Sequence, residues 1–539
     1  MNAERMNPEQ AASTVIPDFA KWIEILSTPL TRSTHTLPGR LRADARRSML
    51  DAAREYTLGL ADTSGLEVNP READSSQIQD IDAERQRVIM TGHQPVIFHP
   101  GLAYKYRVTE QAAMAGGAVA IAVVIDTDEG RSGAFSYPEL DRLVTEAHAI
   151  PHLVSQTRTL SRESTSSSAG LYANEWLADA SILSGVEENV CRALQDCGLS
   201  ECESRFRTVI GDYRRIADRG PCQMSRANIA VRRAAGIGRR MFEIPFSELC
   251  RQRAVMVLIA DVLNRCDEYL TVHNSAIERF RAVEGIRNAA NPFPNLGGGE
   301  GRIELPLWLI DWRNEGSRRP VYATRHADQI LLETDSEVVC ECRRPVDVDE
   351  LLNNIPDESQ LIPRGALITG IMRTLFADLF VHGTGGGKYD RFTDELIRDW
   401  WGVEPTPIAV ASTTMRLFEG PRNEVARLTT IEQQQRDLMY NPQRSFGKSI
   451  FSQQLETVLQ KLVAEKNQLS EQVRVARESG NSAKEIGTRM QRLTDEIRGA
   501  VQAEFDPQLR ELKSLTESQR AVLDSRTWPW FFFDWNPLG

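Results

Sequence analysis

The residues best suited to chemistry occur in two segments of the chain that are punctuated by glycine and proline. In the first, TGHQPVIFHP, His93 and His99 flank a turn, and the later run DTDE contributes Asp126 and Asp128. Imidazoles can stabilise charge on a transferring group, and carboxylates can bind an amine or a ribose hydroxyl. We therefore expect these residues to be catalytic. The alternative is that the histidines only cap the turn and that the carboxylates belong to a solvated loop or a helix cap.

The second segment, VHGTGGGKYDRF, places consecutive glycines before a helix, and we expect helices at residues 368–380 and 389–401 on either side of it. Backbone N–H groups and the helix dipole attract anions at such a position. The P-loop signature requires Ser or Thr after the lysine, whereas Tyr389 follows Lys388, so the segment is a generic anion loop or a flexible turn. Upstream, Arg364 could clamp a carboxylate. The candidate substrate-binding residues are Gly92, Gln94, Arg364, Gly383, Gly385, Gly386, Lys388, Tyr389 and Asp390.

The elements that must position these residues are alternating strands and helices. Residues 88–90 and 118–125 are apolar runs typical of strands. Residues 102–115 between them favour a helix, and we interpret Lys105 on that helix as a surface or structural lysine. Strands that are apolar on both faces indicate a parallel sheet, and ligands bind beyond the carboxyl ends of its strands. The first segment follows such an end.

The whole pattern predicts an α/β fold: a Rossmann-like parallel sheet core with a helical insertion and a C-terminal antiparallel coiled-coil hairpin. The insertion is expected because apolar residues recur at helical steps over a stretch too long for one crossover connection. We divide the chain into an N-terminal helical segment (1–85), the first half of the core (86–165), the helical insertion (166–290), the second half of the core with the Gly-rich loop (291–440), the coiled coil (441–525) and a C-terminal segment that docks on the core (526–539).

A seam of apolar residues marks the coiled coil. From Leu455 to Ala476 the seam residues alternate four and three apart, and after a Ser-Gly-Asn-Ser break the steps resume from Ile486 to Ala500. Pro507 is expected to break the second helix. The hairpin either packs on its own core or associates with a second copy, and we expect a homodimer.

Charge, apolar runs and cysteine content exclude several classes of function. The 539-residue chain has a net charge of -11, so non-specific nucleic-acid binding is not expected. We recognise neither a signal peptide nor an uncharged run long enough to cross a bilayer, so we expect a cytoplasmic protein without membrane contact. The eight cysteines are scattered without a CxxC pair, and no HExxH pattern occurs, so we expect reduced thiols and no metal. The expected partner is a small-molecule substrate.

The two segments resemble those of a known family. TGHQPVIFHPGLAYKY resembles the segment that opens the core of the BshC family, the bacillithiol-biosynthesis cysteine-adding enzymes, and residues 381–396 are similar to that family's glycine-rich loop. Arg364 lies upstream, where the family has an arginine-proline pair, and the coiled coil with its short return segment is similar too. The resemblance implies a Rossmann-type core related to class I aminoacyl-tRNA synthetases, a dimerising coiled coil, and a reaction that joins cysteine to the amine of glucosaminyl-malate.

Departures from the family change the chemistry of the expected pocket. His93 replaces the first glutamine of the family's TGQQ motif, and residues 125–129 replace an acidic Glu-Asp-His-Asp cluster. The glutamate of the glycine-rich loop is absent where this chain has Gly386, Gly387 and Lys388. Replacing acidic groups by a lysine alters the ligand charge that the pocket prefers. The cofactor is unknown, with ATP or ADP as the candidates.

We therefore predict a synthetase-like ligase that joins an amino acid, cysteine by resemblance, to an amine-bearing small molecule such as glucosaminyl-malate, in the biosynthesis of a bacillithiol-type thiol. The alternative is a non-catalytic protein on the same fold, which binds a small ligand or uses its coiled coil to bind a partner. An enzyme requires His93, Asp126 and Lys388 in one pocket, and a scaffold does not.

Overall fold

The computed structural model describes residues 12–28, 35–68, 86–141, 150–162, 170–288, 293–299, 301–313 and 317–535. Over these residues the fold is mixed α/β, with parallel and antiparallel sheets and many helices. The chain divides into two compact units. Unit 1 comprises residues 1–137, 157–415 and 526–539, and unit 2 comprises residues 138–156 and 416–525.

The strands of the described residues belong mainly to unit 1. In chain order they are β1 (Ala12–Ile16), β2 (Val88–His93), β3 (Val119–Val124), β4 (Ala134–Leu140), β5 (Leu153–Thr159), β6 (Phe242–Pro245), β7 (Gly298–Gly299), β8 (Arg302–Asp311), β9 (Ser317–Arg325), β10 (Gln329–Glu333), β11 (Val338–Arg343), β12 (Ser359–Pro363), β13 (Leu379–His382) and β14 (Ile408–Thr414).

The central sheet of unit 1 has six strands in the order β1-β14-β13-β2-β3-β6. Neighbouring strands are parallel except β1 and β14, which are antiparallel. β2 and β3 are buried over most of their length because their side chains are apolar on both faces. The chain passes from β2 to β3 and β6 on one side and to β13 and β14 on the other. The strand order therefore reverses between β2 and β13.

The helices surround this sheet in unit 1 and dominate unit 2. In chain order they are α1 (Phe19–Ser27), α2 (Leu37–Ser64), α3 (Pro100–Gly116), α4 (Ala180–Asp196), α5 (Ser200–Arg219), α6 (Met224–Ala234), α7 (Phe246–Cys250), α8 (Arg253–Asn264), α9 (Cys266–Glu284), α10 (Val348–Asn354), α11 (Ala366–Ile371), α12 (Thr384–Trp401), α13 (Glu419–Tyr440), α14 (Gln453–Glu478), α15 (Lys484–Ser514) and α16 (Glu517–Asp524). Within the described part of the chain, none of these helices is both long and apolar enough to cross a bilayer. Residues 166–290, expected to be a helical insertion, contain α4 to α9 and also β6, which pairs with β3 in the central sheet.

A second sheet in unit 1 is antiparallel. Its order is β11-β10-β9-β8-β12, and β7 pairs with β8 at one end. Along β8, Ile303, Leu305 and Leu307 are buried, whereas Arg302 and Glu304 are partly exposed. This alternation is typical of a sheet with one face on the core. The chain between the two halves of the central sheet therefore contributes a sheet of its own.

Two helix boundaries around the glycines differ from the prediction. The glycines expected to precede a helix at residue 389 lie inside it, because α12 begins at Thr384 and Gly383 is its N-cap. The apolar stretch 368–380 is not one helix, since α11 is followed by a π-helical turn, Met372–Phe376, and then by β13. An apolar run without polar spacing fits a buried helix and a buried strand equally well. Here residues 379–381 form a strand because they pair with β2.

Pro507 does not break a helix, contrary to the prediction, because α15 continues through it to Ser514. A proline inside a helix removes one backbone hydrogen bond. Phe505, Leu509 and Leu512 on both sides of it are buried. Packing of this apolar face stabilises the helix more than the proline destabilises it.

Unit 2 is built on helices that pack along one another, α14 against α15 and α13 against α15. Leu459 and Val463 of α14 are buried, as are Leu493, Ile497 and Val501 of α15. Their three- and four-residue spacing places these side chains on one face of each helix. The two long helices of unit 2 therefore share an apolar contact along part of their length.

An aromatic segment, residues 528–535, packs into unit 1 after the chain has completed unit 2. Its tryptophans and phenylalanines are almost fully buried. The backbone N–H of Trp530 donates to the carbonyl of Phe98 at 2.8 Å. The guanidinium of Arg107, on α3, donates to the carbonyl of Trp535 at 2.9 Å. The segment thus binds the loop that leads into α3 and also α3 itself.

A buried carboxylate joins the amino ends of β2 and β13. The N–H of Asp378 donates to the Val88 carbonyl at 2.7 Å, and the Asp378 carboxylate accepts from the Val88 N–H at 2.8 Å. Arg42 and Arg46 of α2 donate to the same carboxylate at 2.8 and 3.1 Å. The cluster therefore fixes α2 and both strands relative to one another.

We expect Asp378→Asn to lower the free energy of unfolding by about 3 kcal/mol, because two buried guanidinium groups lose the charge that they share. The matched control is Asp349→Asn, which breaks the exposed ion pair with Arg253. This control should cost less than about 0.5 kcal/mol. Urea unfolding followed by circular dichroism measures both, and equal effects would contradict a stabilising role for the Asp378 cluster.

Candidate functional site

The two candidate segments lie side by side at the carboxyl edge of the central sheet. β13 and β2 are paired as far as Val381 and Thr91. The residues that follow, His382 and Gly92, are therefore about one strand spacing apart, roughly 4.8 Å. In open sheets of parallel strands, ligands bind at this edge where the strand order reverses. The structure thus brings together two segments that are far apart in the sequence.

The glycines at the start of α12 serve two different purposes. A Cβ atom on Gly386 would lie 2.7 Å from the Nδ1 of His382, and one on Gly387 would collide with Val410, so these two glycines permit close packing. A Cβ atom on Gly383 or Gly385 would meet nothing within 4 Å. No side chain caps this helix end. Residues 384–386 are exposed, so the uncapped N–H groups of the first turn and the helix dipole favour an anion.

His93 ends β2 and is a neutral group. Its Nδ1 lies 3.0 Å from the carbonyl oxygen of Gln94. Because a carbonyl oxygen only accepts, Nδ1 carries the proton and Nε2 has a lone pair. Burial, with the charge of Lys105 next in importance, lowers the pKa of His93 to about 3. His93 therefore offers a hydrogen-bond acceptor and no positive charge at neutral pH.

His99 caps a helix, which is the alternative role considered for it. Its Nδ1 accepts a hydrogen bond from the N–H of Gly101 at 3.1 Å at the start of α3. Pro100 occupies the first turn, where the missing N–H costs nothing. Burial, together with the nearby charges of Arg526 and Lys105, lowers the pKa of His99. Its geometry is therefore explained by the fold.

Asp126 stabilises the turn before α7. Its carboxylate accepts from the N–H of Ser247 at 3.0 Å and from the Ser247 hydroxyl at 2.5 Å. Burial raises the pKa of Asp126 above its ordinary value. These contacts occupy both carboxylate oxygens, so Asp126 fulfils the role of a cap.

Asp128 and Gln94 bind each other. The Gln94 side-chain amide donates to the Asp128 carboxylate at 2.8 Å, and Arg318 of β9 donates to the same carboxylate at 2.5 Å. The Arg318 guanidinium also lies 5.1 Å from the ring centre of Trp308. This chain of contacts links the end of β2 to the antiparallel sheet. Arg318 was missed at the sequence level because nothing near it in the sequence indicates a partner across two sheets.

Arg364 and Lys388 are paired within the protein. Arg364 donates to Glu304, and its guanidinium lies 4.6 Å from the ring centre of Trp308. Lys388 keeps 55% of its side chain exposed and lies 3.8 Å from the Glu284 carboxylate. Neither side chain is placed at the end of β2. The grouping of His93, Asp126 and Lys388 in one pocket stays a prediction.

Asp390 and Tyr389 are parts of the packing around α12. The Asp390 carboxylate accepts from Arg373 at 2.7 Å and lies 2.9 Å from the Nε2 of His382. Burial alone would raise the pKa of Asp390, but the hydrogen bond and charge of His382 and the charge of Arg373 hold it well below its usual range. Tyr389 packs against the apolar core of unit 1. The contact with Asp390 orients the His382 ring beside Gly386.

Lys105, interpreted from the sequence as a surface or structural lysine, does not lie at the surface, because its side chain is only 2% exposed. Its Nζ donates to the carbonyl of Gly92 at 2.9 Å, at the end of β2. Burial lowers the pKa of Lys105 to about 7. One signal was present in the sequence, since Lys105 stands between two tyrosines on the helix that directly follows TGHQP.

A narrow pocket beside His93 is too small for a substrate. His93, Phe98, Tyr106, Arg232 and Glu243 are among its lining residues, and it has room for about one water molecule. This pocket therefore does not accommodate a ligand of amino-acid size. Among the described residues, no group of three or more His, Cys, Asp or Glu side chains is placed to hold a metal ion.

We expect Gly387→Ala to lower the free energy of unfolding by about 1–3 kcal/mol, because the added methyl collides with the branched side chain of Val410. Gly385→Ala is the matched control in the same helical turn. Its methyl meets open space, so it should be neutral or should stabilise the helix by up to about 1 kcal/mol. Urea titration of both variants measures the difference. A loss in Gly385→Ala as large as in Gly387→Ala would contradict this division of the glycines.

His93 should make the protein sensitive to acid. Between its ordinary pKa of 6.5 and its value of about 3 in the fold, the unfolded chain binds a proton that the folded chain does not. Stability therefore falls as the pH falls through this window. In His93→Gln the loss of unfolding free energy between pH 7 and 4.5 should be smaller by about 2 kcal/mol. The exposed His326→Gln is the control in the same urea series, and an identical pH slope in both variants would refute the expectation.

Searches against protein-family models and characterised protein sequences found no match to this chain. The function must therefore be argued from the geometry of the site and from the two segments that form it.

Proposed function

We propose that the protein is a synthetase-like ligase that joins an amino acid, cysteine by resemblance, to an amine-bearing small molecule such as glucosaminyl-malate. The observation that carries the proposal is the adjacency of the TGHQP and HGTGGG segments where the strand order reverses between β2 and β13. The proposal interprets the central sheet as a Rossmann-like core, in which this edge is the ligand site. It also takes the protein to be a divergent member of the BshC family and to act in the cytoplasm.

The proposed site has separate places for an anion and for an amine. The open turn at Gly383 and Gly385 would bind the carboxylate of the amino acid or a phosphate. Amide formation from a carboxylate requires its activation, and ATP is the co-substrate that the resemblance suggests. Asp128, which is 35% exposed at its side chain, would attract the ammonium group of the acceptor. The positions of these groups at one edge support a reaction between them.

The proposed chemistry uses the neutral state of His93. As the acceptor nitrogen bonds to the activated carboxyl carbon, the activating group leaves and the nitrogen releases a proton. The lone pair on the Nε2 of His93 would accept a hydrogen bond from that nitrogen and orient it, and the released proton passes to water, because a pKa of about 3 makes His93 a weak base. Gln94 would orient Asp128 through the hydrogen bond that joins them. In this proposal Lys105 takes no direct part in forming the amide bond.

We further propose that α14 and α15 form an antiparallel coiled-coil hairpin through which two copies of the chain associate. Leu455 and Leu459 of α14 and Leu493 and Ile497 of α15 belong to the predicted seam and are buried. Val463 and Val501 are buried where the seam has Leu462 and Ala500. Val458 and Val475 of α14 keep nearly half of their surface exposed. These exposed apolar side chains would be covered in a dimer.

A non-catalytic ligand-binding protein is the second candidate, and a specific observation favours it. Asp126 and Arg364, both expected to contact substrate, are bound to Ser247 and Glu304 within the fold. Lys388 lies beside Glu284. A protein that only binds a small anion at the start of α12 would need none of these side chains.

The test is a mass-spectrometric assay of the purified protein with cysteine and glucosaminyl-malate, with and without ATP. The expected result is a product heavier by one cysteinyl group, formed only with ATP. His93→Ala should reduce its rate by about 100-fold, because a misplaced reacting nitrogen typically costs that much. His326→Ala, in an exposed turn, should leave the rate unchanged.

Absence of product, while ligand binding stabilises the protein in thermal unfolding, would reject the ligase and support the binding protein. Product that forms equally well in His93→Ala would keep the ligase and remove His93 from its mechanism.

A further inference from the structure

Lys105 is a buried cation without an acidic partner. Its Nζ donates to the Gly92 carbonyl, and no carboxylate in the described residues forms an ion pair with it. Burying an ammonium group away from water is costly unless an opposite charge accompanies it. Capping one backbone carbonyl could be achieved by an uncharged donor at lower cost. The choice of lysine therefore points to an anion that arrives from outside the protein.

Among the described residues, no carboxylate is close enough to Lys105 to raise its pKa. α3 packs against α1, β2, β3, β13 and β14. At the strand ends beside it the ionisable side chains are His93 and His382, and β3 and β14 carry none. On α1, Lys21 and Glu24 pair with each other. His382 is hydrogen-bonded to the Asp390 carboxylate, which also binds Arg373, and Arg526 acts on the neighbouring cap of α3.

The position of Lys105 is that of a ligand crevice. The Gly92 carbonyl lies one residue beyond Thr91, the last residue of β2 that pairs with β13. Lys105 therefore binds the backbone of β2 at the point where β2 and β13 stop pairing. The chain after β13 continues into the turn that contains Gly383 and Gly385. In open sheets this crevice is the place where ligands bind.

We propose that the crevice between β2 and β13 binds an anionic group, a carboxylate or a phosphate, as the counter-ion of Lys105, and that binding is accompanied by uptake of a proton from solvent onto its Nζ. The neutral amine thereby becomes an ammonium group paired with the ligand. The inference rests on the proposed function only for the source of the anion, which is the carboxylate of cysteine or a phosphate of ATP.

Anion binding and protonation of Lys105 are linked, so each can be measured through the other. Burial lowers the pKa of Lys105 to about 7, so a large fraction of this amine is neutral above that pH. An anion close to Nζ favours the charged form and raises the pKa by about one unit or more. By the same linkage, the anion binds about tenfold more tightly to the protonated protein than to the neutral one.

The test is nuclear magnetic resonance of the full-length protein labelled with ¹³C and ¹⁵N at lysine. The chain has only eight lysines, and the Lys105 signal is the one absent from Lys105→Met. The expected midpoint is near pH 7 without ligand and about one unit higher with sulfate, whose charge is constant in this range. Whichever of cysteine and ATP reproduces the shift identifies the anion as a carboxylate or a phosphate.

Two variants separate this role from simple packing. Lys105→Met should be more stable than the natural chain at pH 6, because it removes a buried charge, and its sulfate affinity should no longer depend on pH. Lys388→Met removes an exposed lysine beside Glu284 and should retain the tenfold pH dependence. A ligand-free midpoint above pH 9, or one that sulfate does not move, overturns the proposal. A Lys105 shift without any ligase product would reject the proposed function and keep the anion site.

Discussion

The Asp378 carboxylate determines where β2 and β13 begin, and therefore where they end. It binds the backbone of Val88 and receives two guanidinium groups from α2, so the amino ends of both strands are fixed in one register. On the central sheet the side-chain hydroxyl of Thr91 adds a bond to the Val381 carbonyl at 2.8 Å. Because strands rise by a constant length per residue, a fixed beginning sets the position of Gly92 beside His382. The arrangement of the candidate site at the carboxyl edge of the sheet thus depends on contacts at its amino edge.

The electrostatics of the site come from the backbone more than from charged side chains. At neutral pH His93 is uncharged and Lys105 is close to its pKa of about 7. The carboxylate of Asp126 is hydrogen-bonded to Ser247. The open first turn of α12 contributes a positive field that does not depend on pH. A site of this kind attracts an anion weakly at high pH and more strongly when its buried amine is protonated.

The sequence predicts β2, α3 and β3 well, because apolar runs and glycine punctuation are local signals. It also predicts that His93 follows a strand end. The neighbouring position of β13 is a long-range pairing, and no local pattern determines it. The burial of Lys105 depends on which face of α3 meets the sheet, and the occupation of Asp126 depends on Ser247 from a distant segment. The sequence therefore identifies side chains that are suited to chemistry, but it does not identify the residues that bind them within the fold.

The aromatic segment at residues 528–535 constrains the order in which unit 1 can fold during synthesis. The Phe98 carbonyl, in the loop that leads into α3, receives its hydrogen bond from Trp530, which is translated only after all of unit 2. On the ribosome, the loop after His93 must therefore wait for the helices of unit 2 to emerge before it reaches its final packing. Unit 1 cannot mature from its amino-terminal part alone. A chain that stops within unit 2 would carry both candidate segments and still lack residues 528–535, which pack against the loop that leads into α3.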